Sequence, residues 1–327
     1  MKEVKQYGSE MSTITASRWL RVTRHNPCPV CGKPDWCLLS QDGKTAICAR
    51  IESDKPAGTK GAGWIHHLDT TTSLPPSKPR FDAKQNPKAP ASVLDMAYRA
   101  LLSELTLSEW HRENLLRRGL TDEQIGSLGY RTLPSSGRCD LAARLQASNL
   151  RVAGVPGFYL EVGRWQLVPR PVGIAIPVRD TKQRIVGLQV RCDSTEGGRY
   201  RWLSSRGFDA GCSPGTPAHV AGMVSTAGEV WVTEGPLKAD VAALKLGRLV
   251  LAVAGVGNWG SVIPIMRELE PKRVIIAFDM DKIRNHSVKL HSEALASWLI
   301  RRDVRTFEAD WDTHFKGLDD LLTGAEL

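Results

Sequence analysis

The chain has 327 residues, 42% of them hydrophobic, and a formal net charge of +9. It is long enough for two or three domains, has the apolar content of an ordinary globular chain, and carries a basic excess that points to an acidic partner, nucleic acid first. No apolar run reaches the roughly 18 residues of a membrane span, and the opening stretch "MKEVKQYGSEMSTITASRWL" lacks the apolar core of a secretory signal; the expected location is the cytoplasm.

The first expected domain, residues 1–69, is organised by cysteine. Of seven cysteines, four lie between positions 28 and 48, while Cys139, Cys192 and Cys212 are scattered. An odd total with one tight cluster argues for a reducing compartment and a metal site over a disulfide framework. In "PCPVCGKPDWCLLSQDGKTAICAR", Cys28 and Cys31 form a CPxCG knuckle, Cys37 and Cys48 follow, and "CLLSQDGKTAIC" reads as a hairpin turning at Asp42-Gly43. Four thiolates suit tetrahedral Zn²⁺. Cys37 and Cys48 also read as small core residues, and His66 or His67 in "GWIHHL" are alternative ligands.

Residues 70–92, "TTTSLPPSKPRFDAKQNPKAPAS", are rich in Pro, Ser, Thr and Lys and poor in large apolar side chains, which predicts a flexible linker. Residues 93–225 form the next expected unit. Its first part, through 150, has helical spacing of Leu, Met and Trp; Thr121 is the expected N-cap of a helix, with Gln124 completing a capping box. Beyond 150, "GIAIPVRD" and "RIVGLQVRC" read as a hairpin across "TKQ", with "RYRWLSS" a third strand. This stretch is dense in arginine.

The last expected domain, 226–327, alternates regularly. "EVWVTEG", "RLVLAVAG", "KRVIIAFDMD" and "VRTFEADW" read as strands, and "PLKADVAALKLG", "NWGSVIPIMRELE" and "HSVKLHSEALASWLIRR" as helices. Continuous apolar strands alternating with helices predict an α/β fold whose parallel sheet is covered on both faces. Right-handed crossovers then put the strand C-termini along one edge, where ligands of open α/β sheets collect. Glu234 ends one strand; Asp279 and Asp281 end another, on the same side by alternation. Converging carboxylates need a cation between them, and oxygen-only donors suit Mg²⁺ or Mn²⁺. "KGLDD" adds Lys316 as a phosphate contact and Asp319 or Asp320 as a further acid. Each motif alone also reads as an ordinary strand end or as a helix start favoured by its dipole.

Together, Glu234-Gly235 and the Asp279/Asp281 pair resemble the EG and DxD motifs of toprim domains, the metal-binding fold shared by DnaG-type primases, topoisomerases and some nucleases. Upstream, "IAIPVRDTKQRIVGLQVRC … RYRWLSS" is similar to the basic segment of bacterial primases, with Arg191 at the family's arginine and Arg201 at its lysine. "LRRGLTDEQIGSLGYR" is similar to the helical opening of primase cores. The resemblance implies a zinc-binding domain, linker, mixed α+β basic subdomain and toprim catalytic domain, in primase order. It implies a DNA primase, a nucleotidyltransferase that makes short RNA primers from nucleoside triphosphates on a single-stranded DNA template. Glu234, Asp279, Asp281 and Asp319 would be its catalytic acids, Glu234, Asp279 and Asp281 its magnesium ligands, and Arg191, Arg201, Lys238 and Lys316 its phosphate and template contacts.

Three departures stand out. Lys238 occupies the place of a family acid, Gly317 replaces another, and the zinc module's second CxxC is reduced to Cys48. They suggest a primase of phage, plasmid or mobile-element type. No GxxxxGKT or GxxxxGKS run occurs, so the helicase is expected to be a separate protein. A toprim nuclease and a non-catalytic single-stranded DNA-binding accessory are the alternatives.

Overall fold

In a computed structural model, residues 3–6, 19–24, 26–40, 43, 45–53, 55, 57, 63–68, 85–196, 198–224, 228–280 and 286–324 are described. The chain divides into two compact units, Glu10–Arg80 and a larger one made of Met1–Ser9 with Phe81–Leu327. The first strand, β1 (Glu3–Gln6), belongs to the larger unit.

The small unit is a four-stranded antiparallel sheet of β2 (Trp19–Arg21), β3 (Leu38–Ser40), β4 (Thr45–Cys48) and β5 (Trp64–His67), in that order. The expected hairpin is present: β3 pairs antiparallel with β4, and Gly43 N donates to Ser40 O at 2.9 Å across the turn. Among its described residues the buried cluster is Val22, Cys28, Cys37 and Cys48. So small an apolar core cannot offset the entropy of ordering the chain, and units of this size need a covalent or metal staple. The linker reading at 70–84 lies outside the described residues. Residues 85–90 are fastened to the large unit: Gln85 Nε2 donates to Phe208 O, Asn86 Nδ2 to Ala210 O and Lys88 Nζ to Pro214 O.

The large unit opens with α1 (Ala91–Ser103), which buries Leu94, Ala97, Tyr98, Leu101 and Leu102, one face at helical spacing. The helical run then breaks. Ser108 is extended and caps α2 (Glu109–Leu116) by accepting from His111 N, while Thr106 O receives Thr132 N. Thr121 and Gln124 form the expected capping box at the start of α3 (Asp122–Leu128). A short strand, β6 (Arg131–Leu133), precedes α4 (Arg138–Ala147), and β7 (Phe158–Glu161) pairs with β8 (Arg164–Leu167). Then come β9 (Gly173–Arg179), β10 (Ile185–Cys192) and β11 (Tyr200–Trp202), the three strands expected, in an antiparallel sheet of order β11-β10-β9-β6. Strand β9 is buried on both faces. Ala175 joins the core with α1 and α4, whereas Ile174 and Ile176 pack with Leu115, Ile125 and Tyr130.

The six-stranded sheet uses β12 (His219–Ala221), β13 (Glu229–Glu234), β14 (Leu249–Val253), β15 (Arg273–Ile276) and β16 (Arg305–Asp310), in the order β1-β16-β15-β13-β14-β12. Its four central strands are parallel, as expected; β1 and β12 run antiparallel at the two edges. The helices are α5 (Pro236–Leu246), α6 (Ile263–Leu269), α7 (His286–Ile300) and α8 (Leu318–Thr323). A 3₁₀ stretch, Val256–Val262, runs into α6, so the expected helix over "NWGSVIPIMRELE" is tighter in its first half, and Pro264 sits harmlessly in the first turn of α6. Alternation along β13 to β15 sorts side chains cleanly. Val230, Val232, Leu249, Leu251, Val274 and Ile276 pack with α6 and α7, and Trp231, Val250 and Ile275 pack with α5 and α8. Leu237 and Val241, on another face of α5, join Ile174 and Ile176 of β9, so one helix holds the parallel sheet and the basic sheet together.

Candidate active site and zinc centre

The sulfurs of Cys28, Cys31, Cys37 and Cys48 lie within 4.8 Å of one another. Cys31 Sγ is 3.7 Å from Cys37 Sγ, which is 4.0 Å from Cys48 Sγ. Four sulfurs each about 2.3 Å from one tetrahedral zinc would stand about 3.8 Å apart, so the spacing of these residues fits a zinc site. Burial pushes the Cys28 and Cys37 thiols up, Cys37 to about 12. Cys31 is brought down to about 7: its slight burial is outweighed by the Lys33 amide and the neighbouring thiols. Ala49 N donates to Cys37 Sγ and Ile51 N to Cys48 Sγ. Arg50, braced on Asp35, brings Nη1 to 4.0 Å from Cys31 Sγ and 3.9 Å from Cys37 Sγ, which offsets thiolate charge. His66 Nε2 is engaged with Ile51 O at 2.9 Å, and neither His66 nor His67 belongs to the group.

The acids gather at the C-terminal edge of the parallel sheet. At the end of β13, Glu234 is followed by Gly235, whose φ of +78° is costly for any residue with a Cβ and turns the chain into α5. Pro236 then opens the helix, and Lys238 sits on its first turn. The apolar run of β15 outlasts its pairing: the strand ends at Ile276, Ala277 N still donates to Val232 O, and Asp279 is buried beyond it. Asp281 lies outside the described residues. Met280 N donates to Lys316 O at 2.9 Å, which ties this strand end to the loop before α8. There Gly317 N donates to Asp320 Oδ2, and Asp319 is turned inward and buried.

A cation already stands among these acids. Lys238 Nζ donates to both Asp279 oxygens, each at 2.5 Å. Burial works against its charge, but Asp279, Asp319 and Glu234 hold the ammonium above its ordinary value. Burial lifts the Asp319 carboxyl, with Asp320 and Asp279 adding to it and Lys238 and Arg118 opposing. Arg118 Nη1 lies 3.2 Å from Asp319 Oδ2. Asp319 Oδ1 is buried without a hydrogen-bond partner. Among the described residues the cysteines are the one group of three or more Cys, His, Asp or Glu placed to hold a metal ion.

Arg118 is absent from the expected site, although "LRRGL" contains it; its reach to a residue 201 positions away has no local signal. It also stands near enough to Arg191 of the basic sheet for their like charges to repel. Arg191, half-buried on β10, has its guanidinium pushed down by burial and then by Arg118 and Arg199, and its Nε is buried without a partner. Arg201 is exposed on β11, paired in register with Val190, and Lys316 is exposed beside α8. The Trp202 ring packs on Gly187, where an added Cβ would meet it at 3.1 Å, consistent with the packing reading of that tryptophan.

No model of a known protein family matches the chain, and no curated protein matches it. Solved structures do. The Aquifex aeolicus primase, as its zinc-binding and RNA polymerase domains, matches with a TM-score of 0.56 at 14% identity over 96% of this chain and 78% of its own. The fold is that of the DnaG-type primases. A DNA primase domain from Pseudomonas aeruginosa matches with a TM-score of 0.53 at 17% identity, covering 72% of this chain and 75% of its own. The RNA polymerase domain of Mycobacterium tuberculosis primase DnaG, in complex with double-stranded DNA, matches at 0.53 and 15% identity, covering 71% and 76%. The likeness extends to both parts of the DnaG arrangement, the N-terminal cysteine cluster and the mixed α/β catalytic fold.

Proposed function

We propose that this protein is a DNA primase that joins nucleoside triphosphates into short RNA primers on a single-stranded DNA template. The observation that carries this reading is Arg118, which pairs with Asp319 at the buried acid edge of the parallel sheet and stands near enough to Arg191 of the basic sheet for their like charges to repel. Guanidiniums crowded around Arg191 repel one another, and a phosphate among them relieves that repulsion with bidentate hydrogen bonds. Arg191 and Arg201 would hold template or nucleotide phosphates, and Lys316 would meet the nucleotide from the loop before α8.

Glu234, Asp279 and Asp281 would hold Mg²⁺ or Mn²⁺, with Asp319 behind them. The donor chemistry fits a hard cation: every atom offered is a carboxylate oxygen, and one of them, Asp319 Oδ1, is buried with nothing to accept from. The cation, when bound, neutralises charge on the reacting phosphates. Asp279 keeps Lys238 in place beside that charge. A helicase would be a separate chain, in a replication system of phage, plasmid or mobile-element type.

The test is template-dependent incorporation of labelled ribonucleotides with Mg²⁺ or Mn²⁺. Asp279→Ala and Glu234→Ala are each expected to lower it by roughly a hundredfold or more, since metal stabilisation of the transition state is worth several kcal/mol. Synthesis that survives both substitutions, or none from wild type on any template, would falsify the proposal. Metal-dependent DNA cleavage without triphosphates would favour a nuclease. DNA binding indifferent to metal and to loss of the acids would favour an accessory protein.

A further inference from the structure

We infer that Gln189 and Tyr200 form, beside Arg191, a seat for one unpaired nucleotide: the Gln189 amide reads the edge of the base, the Tyr200 ring stacks on its face and Arg191 holds the phosphate. The inference rests on the reading of Arg191 as a phosphate contact and adds to it a means of telling one base from another.

The register brings these side chains together. Gln189 and Arg191 are two residues apart on β10 and share a face. Directly across on β11, Trp202 pairs with Gln189 and Tyr200 with Arg191; across on β9, Ile176 pairs with Gln189 and Ile174 with Arg191. Ile174 and Ile176 pack in the apolar cluster that holds Leu115 and Leu120, which flank Arg118 in the chain. The face is therefore the one turned toward Arg118, the partner of Asp319.

Two unsatisfied atoms on this face ask for a ligand. Gln189 is 5% exposed, and its Oε1 is buried without a hydrogen-bond partner. Arg191 Nε is also buried without one. Such atoms weaken a fold, so each calls for a reason outside it. Tyr200 differs: its side chain is exposed on β11, and it works against the burial and the neighbouring arginines that push the Arg191 guanidinium down. The Trp202 ring lies over Gly187, on the side of Gln189 away from Arg191.

An amide offers a donor and an acceptor side by side and turns about its terminal torsion at little cost. That pair matches adenine N6 and N7 in a bidentate contact. An aromatic ring stacks on any base. Side chains two apart on a strand stand about 7 Å from one another, a spacing that suits a phosphate at Arg191 and its own base at Gln189.

The test is the ratio of affinities for oligo-dA and oligo-dT, by anisotropy with the zinc-loaded full chain. Gln189→Met keeps the volume and removes the amide. It is expected to lower the dA/dT ratio roughly fivefold or more, with Tm held or raised because an unpartnered acceptor is gone. An unchanged ratio, or a lower Tm, overturns the inference. Tyr200→Ala should weaken both oligonucleotides alike, by roughly fivefold or more, and Tyr200→Phe should restore them; no loss from Tyr200→Ala overturns the stacking role. Titration with ATP and UTP, read by tryptophan fluorescence, separates the two sources of a nucleotide: a Gln189-dependent ratio there assigns the seat to the incoming triphosphate, and one confined to the oligonucleotides assigns it to the template. Primer synthesis is scored separately. Base discrimination without synthesis defeats the polymerase reading and leaves the seat standing, whereas synthesis with no effect of Gln189→Met on either ratio defeats the seat alone.

Discussion

Asp240 follows Lys238 by two residues on α5 and so points about 200° away around the helix. It turns from the acid edge into a buried knot. Tyr130 Oη donates to Asp240 Oδ2 at 2.5 Å, and His219 Nε2 lies 3.0 Å from Asp240 Oδ1. Arg179 N donates to His219 Nδ1, which leaves the ring proton on Nε2 to be donated to the carboxylate. Burial, and then the Asp240 charge, holds the Tyr130 phenol well above its ordinary value, so it remains a donor. Tyr130→Phe would leave a buried carboxylate oxygen unsatisfied and is expected to cost about 1–3 kcal/mol. The check is a thermal melt beside a Mn²⁺ titration: stability should fall while Mn²⁺ binding holds. A fall in Mn²⁺ binding instead would put Asp240 in the catalytic site. Its position in the sequence, close behind Glu234, gives no hint of this inward turn, because an acid on the first turns of a helix has the same local signature whichever way it faces.

At the scale of elements, legibility tracked how local the cause was. The capping box at Thr121, the β9–β10 hairpin and the four parallel strands follow from neighbours within a few residues. Strands β1 and β12 did not: each is short and joins the sheet only because an edge is open to it, and β1 pairs across some 300 residues of sequence, Glu3 with Asp310. The zinc element was legible by ligand type, while the choice of Cys37 over His66 needed the fold, which spends His66 on Ile51 O. That element yields a signed prediction. Zinc takes thiolates, so binding releases protons. Cys28 lies above its ordinary value and Cys37 near 12, so each gives up a whole proton across neutral pH, and Cys31, near 7, gives up about half. Zinc affinity should therefore rise by about a hundredfold or more per pH unit. Competition with a chelator at two pH values around neutrality measures it, and a tenfold rise or less would contradict the four-thiolate assignment.

The zinc site also sets how the whole molecule melts. Among the described residues the small unit has one buried cluster, of Val22 and three cysteines, whereas the large unit has several apolar clusters. Structural zinc contributes on the order of 10–16 kcal/mol to modules of this kind, against a domain stability of about 5–15. Chelation, or Cys37→Ser, is expected to unfold the small unit alone and leave the main calorimetric transition in place. A single transition that moves as a whole would show that the two units do not fold independently.

Charge acts at the same scale, and it separates the arginines. A net charge of +9 spread over the surface would give some salt-dependent DNA binding with no site at all. A phosphate-binding sheet adds a specific pattern. Each phosphate contact on single-stranded DNA contributes about 0.7 to the slope of log affinity against log salt. Arg191, with a buried and unpartnered Nε, and Arg201, exposed on β11, are each expected to remove about that much when changed to alanine. Arg118 is held by Asp319 and should change the slope much less. Anisotropy titrations of a labelled oligonucleotide at four salt concentrations separate the cases. Equal small changes from all three arginines would mean a diffuse basic surface. Loss confined to Arg191 and Arg201, which the register places on opposite faces of the β10–β11 pair, would mean that phosphates reach both faces of that edge.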